Sequence, residues 1–288
     1  MTDLSWGAPN LLHAQCAAFV DARRRGEPLA WDDGMAFLGA LRQHASQAPF
    51  QRLFEAQAGF NAREFKALVI GVEAELEKLM ARRYIEGDAG SLEPELGDGY
   101  SMAELEGAAL GLDGGGGDLY FVGCGAAPLT AMRYRELFGT RIVCIDRDAE
   151  ALALARRMLA VRFGPAEVAA GFRFVHASAE ALAWPAGSVT RLLLAAHLGG
   201  KEALLRRFAT ALAPGARVLV RLPMGLYAHV YDEVDFSAAP QYEVVSHVSD
   251  AAEPFCCAAA LRLLRSTHRV PGVPGVPGVL GGSTATAA

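Results

Sequence analysis

The 288-residue sequence contains no apolar run long enough to cross a bilayer, and no basic start followed by an apolar signal core. A cytoplasmic protein that meets no membrane is therefore expected. Basic residues are not in excess either. Lys and Arg number 27 against 32 Asp and Glu, giving a net charge of −5 and an isoelectric point near 5.8. That balance argues against a general nucleic-acid or anionic-membrane binder. Cysteine is scarce. Cys16, Cys124, Cys144, Cys256 and Cys257 show neither paired spacing nor metal-ligand spacing, so neither a disulfide framework nor a resident metal is expected. Apolar residues, in contrast, make up 52% of the chain, enough for the core of one large or two modest domains.

One stretch organises the rest, DLYFVGCGAAPLTAMRYRELFGTRIVCID, from Asp118 to Asp146. Leu119, Tyr120, Phe121 and Val122 form the short apolar run of a buried parallel strand. Gly123, Cys124 and Gly125 follow, where the chain must turn and a ligand can approach the backbone. Pro128 suits the first turn of a helix, which needs no N–H there. A second strand, Arg141 onward, ends in Asp146, the position from which a doubly wound sheet holds a ribose hydroxyl pair. The third glycine of a dinucleotide fingerprint is missing, because Pro128 occupies its place. A nucleoside without a pyrophosphate fits better, and S-adenosylmethionine (SAM) is such a molecule. An ordinary tight turn in an α/β protein is the plainer alternative.

Residues 1–112 read as a helical domain, with apolar spacing over 11–24, Trp31–Ala45, 50–58, 61–84 and Met102–Leu110. In the helix over 61–84 the stripe contains Leu68, Val72, Leu76, Leu79 and Met80. Glu73 and Glu77 share one edge of it, four residues apart, a spacing that costs a few tenths of a kcal/mol. They read either as a solvated acidic face or as a carboxylate pair facing a cleft. A Gly-, Pro- and acid-rich loop over 87–99 leads to Tyr100, and the glycines of 114–117 mark a hinge.

Residues 113–268 alternate as a Rossmann-like, doubly wound seven-stranded α/β sheet should. Asp148 is placed to cap a helix. Strands are expected over Phe172–His176, 191–196, 216–222, 241–248 and 254–264, the last two as an antiparallel hairpin, with a helix over 201–212. Ligands gather at the carboxyl ends of such strands, here Gly123 to Gly125, Asp146, Arg147, Ser178, Ala195 and His197. His176 and His197 also suit ordinary turn or core positions. The tail over 269–288 repeats Val-Pro-Gly, cannot build a core, and is expected to be disordered.

These residues resemble the nicotianamine synthase-like family, over roughly residues 65 to 265. VGCGAAPLTAMRYRELFGTRIVCIDRDAEALALA is similar to its Gly-x-Gly-Pro-Leu-Pro-Leu-Thr block and the following Asp-x-Asp strand end. Pro128, Leu129 and Thr130 match, whereas Ala126 and Ala127 depart from the common Pro-Leu. AAHLGGKEALLRRFATALAPGARVLVR resembles its Ala-Leu-Val-Gly block. RLPMGLYAHVYDEVDF follows its Arg-to-Asp spacing through Arg221, Gly225, Tyr231 and Asp235. VEAELEKLMARR matches a helix pattern at Glu73, Leu76, Glu77 and Ala81. GYSMAELEGAAL is a looser likeness around Tyr100, where Gly-Asp-Gly replaces Pro-Tyr-Tyr.

The resemblance implies transfer of the 3-amino-3-carboxypropyl (aminobutanoyl) arm of SAM, with SAM as co-substrate and no metal on the enzyme. Its short bacterial members, the staphylopine and pseudopaline synthase type, are similar in size. They imply one transfer onto a histidine amine, with a separate opine dehydrogenase completing a metallophore. L-Histidine, D-histidine, glutamate or another amine all remain open as acceptor. On this reading Glu73, Glu77 and Tyr100 relay the acceptor's proton, and Gly123, Cys124, Gly125, Asp146, Arg147, Ser178, Ala195 and His197 hold SAM. Pro128, Leu129, Arg221 and Tyr231 face the substrate, although a strand-end arginine equally suits a structural ion pair. The likeness and the apolar helices are compatible with a homodimer. Two rivals stand beside this reading: an ordinary SAM-dependent methyltransferase, and a catalytically silent SAM-fold binding protein.

Overall fold

A computed structural model describes residues 22, 25, 27–45, 62–88, 102–114, 116–223, 233–249 and 256–264. The helix expected over 50–58, almost all of that over 11–24, most of the 87–99 loop, Tyr100, Gly225, Tyr231 and the tail lie outside the described residues.

Seven strands form one sheet: β1 (Asp118–Val122), β2 (Arg141–Asp146), β3 (Phe172–His176), β4 (Val189–Leu194), β5 (Leu212–Pro223), β6 (Tyr242–Val248) and β7 (Cys256–Leu263). Their order is β3-β2-β1-β4-β5-β7-β6. β1 to β5 run parallel, while β7 lies antiparallel to both β5 and β6. The expected antiparallel pairing of the last two strands is present, with β7 inserted beside β5 rather than at the edge. Strand periodicity then sorts the side chains into two layers. Leu119, Phe121, Ile142, Cys144, Leu193 and Leu219 enter one. Val122, Val143, Ile145, Leu192, Leu194, Val218 and Val220 enter the other. Burial on both faces explains why these strands read as continuous apolar runs.

The first layer is roofed by helices. These are α1 (Trp31–Ala45), α2 (Ala62–Ile85) and α3 (Met102–Leu110), followed by α4 (Leu129–Phe138) and α5 (Ala149–Phe163). In α2 the buried stripe is Val69, Val72, Leu76, Met80 and Tyr84, and Leu79 is only half-buried. Arg82 and Arg83 occupy its last turn, where the helix dipole favours cations. The amino end of α5 is capped as expected, with the Asp148 carboxylate accepting from the Glu150 and Ala151 N–H groups. Lys78 of α2 reaches across to Asp148 at 2.7 Å and Glu150 at 2.8 Å, and Arg82 reaches Glu150 at 2.5 Å. This cluster ties α2 to the amino end of α5, just past the carboxyl end of β2.

Three local expectations are corrected. β4 spans Val189–Leu194 rather than 191–196, because the chain turns away at Ala195 to His197. α7 (Lys201–Phe208) stops short of residue 212, and β5 begins there, with a register shift against β4 between Val189 and Arg191. A short helix, α6 (Pro165–Gly171), was not expected. Gly164, at φ +83°, ends α5, and Pro165 restarts the chain as a helix.

Candidate active site

The turn after β1 is fixed by backbone geometry. Gly123 and Gly125 sit at φ +81° and +69°, where side chains are strained. A Cβ added at Gly125 would fall 2.1 Å from Glu77 Oε2, so α2 and the turn approach one another only because that atom is missing. Asp146, at the tip of β2, accepts from the Gly125 N–H through Oδ2 at 2.9 Å and from the Asp148 N–H through Oδ1 at 3.0 Å. Each oxygen keeps a further lone pair, so the same carboxylate can accept from a vicinal diol.

Two cavities open at the carboxyl ends of the strands. One, of about 240 Å³, is lined by Gly125, Asp146, Arg147, Ala177, Glu180 and Leu198 among others. The second, of about 320 Å³, has an apolar wall of Met35, Leu38, Leu76, Met80, Phe121 and Leu129. Its polar groups are Glu73, Glu77, Thr130, His197 and Arg221. Both are bordered by Glu77, Gly123, Ala195 and His197, which makes them two lobes of one crevice.

Charge is concentrated where the lobes meet. Glu77 Oε2 accepts from the Ala126 N–H at 3.2 Å. Burial pushes the Glu77 carboxyl up to about 7, Glu73 and Asp146 push it the same way, and His197 and the Ala126 N–H restrain the rise. His197 Nε2 lies 2.9 Å from Glu73 Oε2, with 34% of the imidazole side chain exposed where the two lobes meet. Burial opposes protonation of this imidazole. The Glu73 carboxylate, by charge and hydrogen bond, and then Glu77 outweigh it, leaving the ring's affinity for a proton above that of ordinary histidine.

Arg221, on β5, is held by the fold. Nε donates to Glu106 Oε1 at 2.9 Å, Nη2 to Glu106 Oε2 at 2.7 Å and Nη1 to Thr130 Oγ1 at 3.0 Å. The Tyr134 hydroxyl donates to Glu106 Oε2 at 2.6 Å, completing a buried network below the second lobe. Of the two readings of this arginine, the structural ion pair is formed, and the guanidinium also borders the lobe.

The crevice gathers Glu73, Glu77, Gly123, Cys124, Gly125, Leu129, Asp146, Arg147, Ala195, His197 and Arg221. Pro128 is buried at the start of α4 instead of lining either lobe. Ser178 also stands aside: its hydroxyl accepts from the Ala181 N–H, capping a 3-10 turn, while its neighbours Ala177, Ala179 and Glu180 face the cavity. Tyr100 and Tyr231 lie outside the described residues. His176 lines neither lobe, and its Nε2 lies 3.0 Å from the Arg147 carbonyl. Sequence reasoning missed Lys201, which is fully buried and donates to the Ala196 carbonyl at 2.6 Å, bracing the turn that carries His197. It also missed Glu106, whose only signal was an acid in an apolar helix. Among the described residues no group of three or more His, Cys, Asp or Glu side chains is arranged to hold a metal, and no helix is long and apolar enough to cross a membrane.

No protein-family model and no curated protein sequence matches the chain. Solved structures do. A glutamate-to-glutamine variant of the nicotianamine synthase MtNAS superposes with a TM-score of 0.70 at 15% identity, over 89% of this chain and 98% of that one. MtNAS in complex with MTA and tNA gives 0.69 at 15%, over 91% and 99%. The variant in complex with S-adenosylmethionine gives 0.67 at 15%, over 92% and 100%. The protein therefore has the Rossmann-like, seven-stranded fold of SAM-dependent transferases, and the likeness extends through the helical roof.

Proposed function

We propose that the chain is a SAM-dependent aminobutanoyltransferase. It moves the 3-amino-3-carboxypropyl arm of SAM to the amine of an amino acid, with histidine favoured, and releases methylthioadenosine. The observation that carries this reading is Glu77, a carboxyl poised near neutrality at the junction of a nucleoside-sized lobe and a second lobe able to take an acceptor. MtNAS, with which the chain shares its fold, has been crystallised with SAM, with MTA and tNA, and with a glutamate replaced by glutamine.

The residues fit such a co-substrate. Asp146 presents acceptor lone pairs to a ribose diol, and the side-chain-free backbone at Gly123 and Gly125 leaves room for a nucleoside at the strand ends. A bound sulfonium supplies an activated carbon next to a thioether leaving group. Glu77 then has one task. An α-amine is largely protonated at neutral pH and must lose that proton before its lone pair can attack. A carboxylate that gains its proton near pH 7 is matched to that transfer. Tyr100 is assigned, with Glu73 and Glu77, to the proton relay and to holding the acceptor, and Tyr231 to the acceptor pocket. Residues 1–112 serve as cap, 113–268 as SAM-binding domain and 269–288 as a tail. An opine dehydrogenase would act on the product in metallophore synthesis.

The test is to incubate the protein with SAM and L-histidine, D-histidine and glutamate in turn, and to identify the nucleoside by mass. Methylthioadenosine with an aminobutanoylated amino acid is the expected result. S-adenosylhomocysteine would establish methyl transfer instead, and SAM binding without either product would point to a silent binding protein.

A further inference from the structure

Two ionisable side chains border both lobes of the crevice, Glu77 and His197. They come from different elements, α2 and the turn after β4, and Glu73 holds the imidazole at 2.9 Å one helical turn before Glu77. Resting on the transfer reading above, we propose that His197, clasped by Glu73, is a positioning residue whose positive charge keeps a working share of Glu77 ionised, and so able to take the acceptor's proton, at neutral pH.

The surroundings of Glu77 make such a charge necessary. Its carboxylate is largely withdrawn from water although the residue as a whole is half-buried, with Glu73 on its own helix and Asp146 on β2 both disfavouring a further negative charge. On the stabilising side stand the Ala126 N–H and His197. The other cation on the wall of the second lobe, Arg221, has three of its nitrogens engaged by Glu106 and Thr130. Of the two cations on the wall of the first lobe, Lys78 is bound to Asp148 and Glu150, and Arg147 is exposed to solvent. Lys201, on α7, faces His197 from behind, donates to Ala196 and disfavours the imidazolium. α1 contributes the uncharged Met35, Leu38 and Gly39 to the second lobe. His197 is thus the counter-charge placed against Glu77, and Glu73 keeps it protonated and aimed.

The proton balance closes. An acceptor ammonium gives one proton to the Glu77 carboxylate, and the freed amine forms the new N–C bond. The S–C bond breaks with its electron pair retained by sulfur. His197 neither gains nor loses a proton. Before that step the junction holds imidazolium and carboxylate, and afterwards imidazolium and carboxylic acid.

Two readouts test this on the purified full chain. In the first, NMR follows the His197 ring protons against pH in wild type, Glu73→Gln and Glu77→Gln. The His197 midpoint should fall in both variants, and an unchanged midpoint in both overturns the proposal. In the second, methylthioadenosine release from SAM with L-histidine, D-histidine and glutamate is followed from pH 6 to 9. For His197→Gln the acidic limb should move upward by about one pH unit or more, giving roughly a tenfold loss near pH 6.5 that is largely recovered by pH 9. An equal loss at every pH, or no loss, overturns it. Glu73→Gln, which keeps the imidazole, should shift the limb the same way and decides the matter if His197→Gln does not fold. Failure of the wild type to release methylthioadenosine from every acceptor sinks the transfer reading and this role with it. That failure is distinguishable, because the NMR midpoints are read without turnover.

Discussion

Arg221 on β5 and Glu106 on α3 meet through two parallel hydrogen bonds, 2.9 and 2.7 Å long, and no surface of Glu106 reaches solvent. Charge-assisted, bidentate geometry of this kind fixes one helix against one strand. Removing one partner strands a buried charge, so Glu106→Ala should cost roughly 3–5 kcal/mol in urea unfolding. The double variant Glu106→Leu with Arg221→Met should recover most of that loss. Additive losses in the double variant would contradict the pairing.

Asp146 and Glu77 should separate binding from turnover. Asp146→Ala removes the acceptor for the Gly125 and Asp148 N–H groups and for a ribose diol, and should abolish SAM binding in calorimetry. Glu77→Gln keeps an acceptor for the Ala126 N–H. It should bind SAM near wild-type strength while slowing transfer by about 100-fold or more. Equal loss of SAM affinity in both would remove this division of labour.

The position of Gly125 predicts an unusually costly methyl group. Gly125→Ala places a Cβ at positive φ and against Glu77 Oε2. The backbone alone accounts for about 1–2 kcal/mol, and Glu77 must also move. Lower thermal stability with a displaced activity–pH profile is the expected outcome. Gly139→Ala, with open space around the added carbon, should show backbone strain without the pH effect.

Glu77 also predicts a pH dependence of stability. Its carboxyl is raised from 4.5 to about 7 on folding, so the folded chain favours the protonated form. That contribution is fully present below pH 4.5 and is lost as pH rises through 7. Glu77→Gln is immune to it. The variant should therefore gain on wild type between pH 5 and 8, by roughly 2–3 kcal/mol. Parallel unfolding midpoints across that range would refute the burial of this carboxyl.

The sheet was legible because its central strands β1, β2, β4 and β5 bury apolar side chains on both faces, and Trp31–Ala45, Met102–Leu110 and Phe172–His176 keep their expected ends. α6 was not, since PAEVAAG is too short to show a period, although Gly164-Pro165 marks its start. The acid at the tip of β2 and the glycine turn could be placed from spacing alone. The partner of Glu73 could not: His197 meets it only after β4 and α2 have been folded together. Glu106 was hidden for a related reason, because an acid on a helix reads as solvated until a buried arginine is found opposite it.

The insertion of β7 between β5 and β6 has a consequence for synthesis on the ribosome. β6 leaves the exit tunnel before β7 yet cannot take its final place until β7 has arrived, because the two earlier strands share no ladder. Until then β5, with Arg221 near its end, presents a bare edge to its surroundings. The nascent chain thus stays vulnerable to intermolecular pairing until β7 emerges, and chaperone demand should peak in that interval.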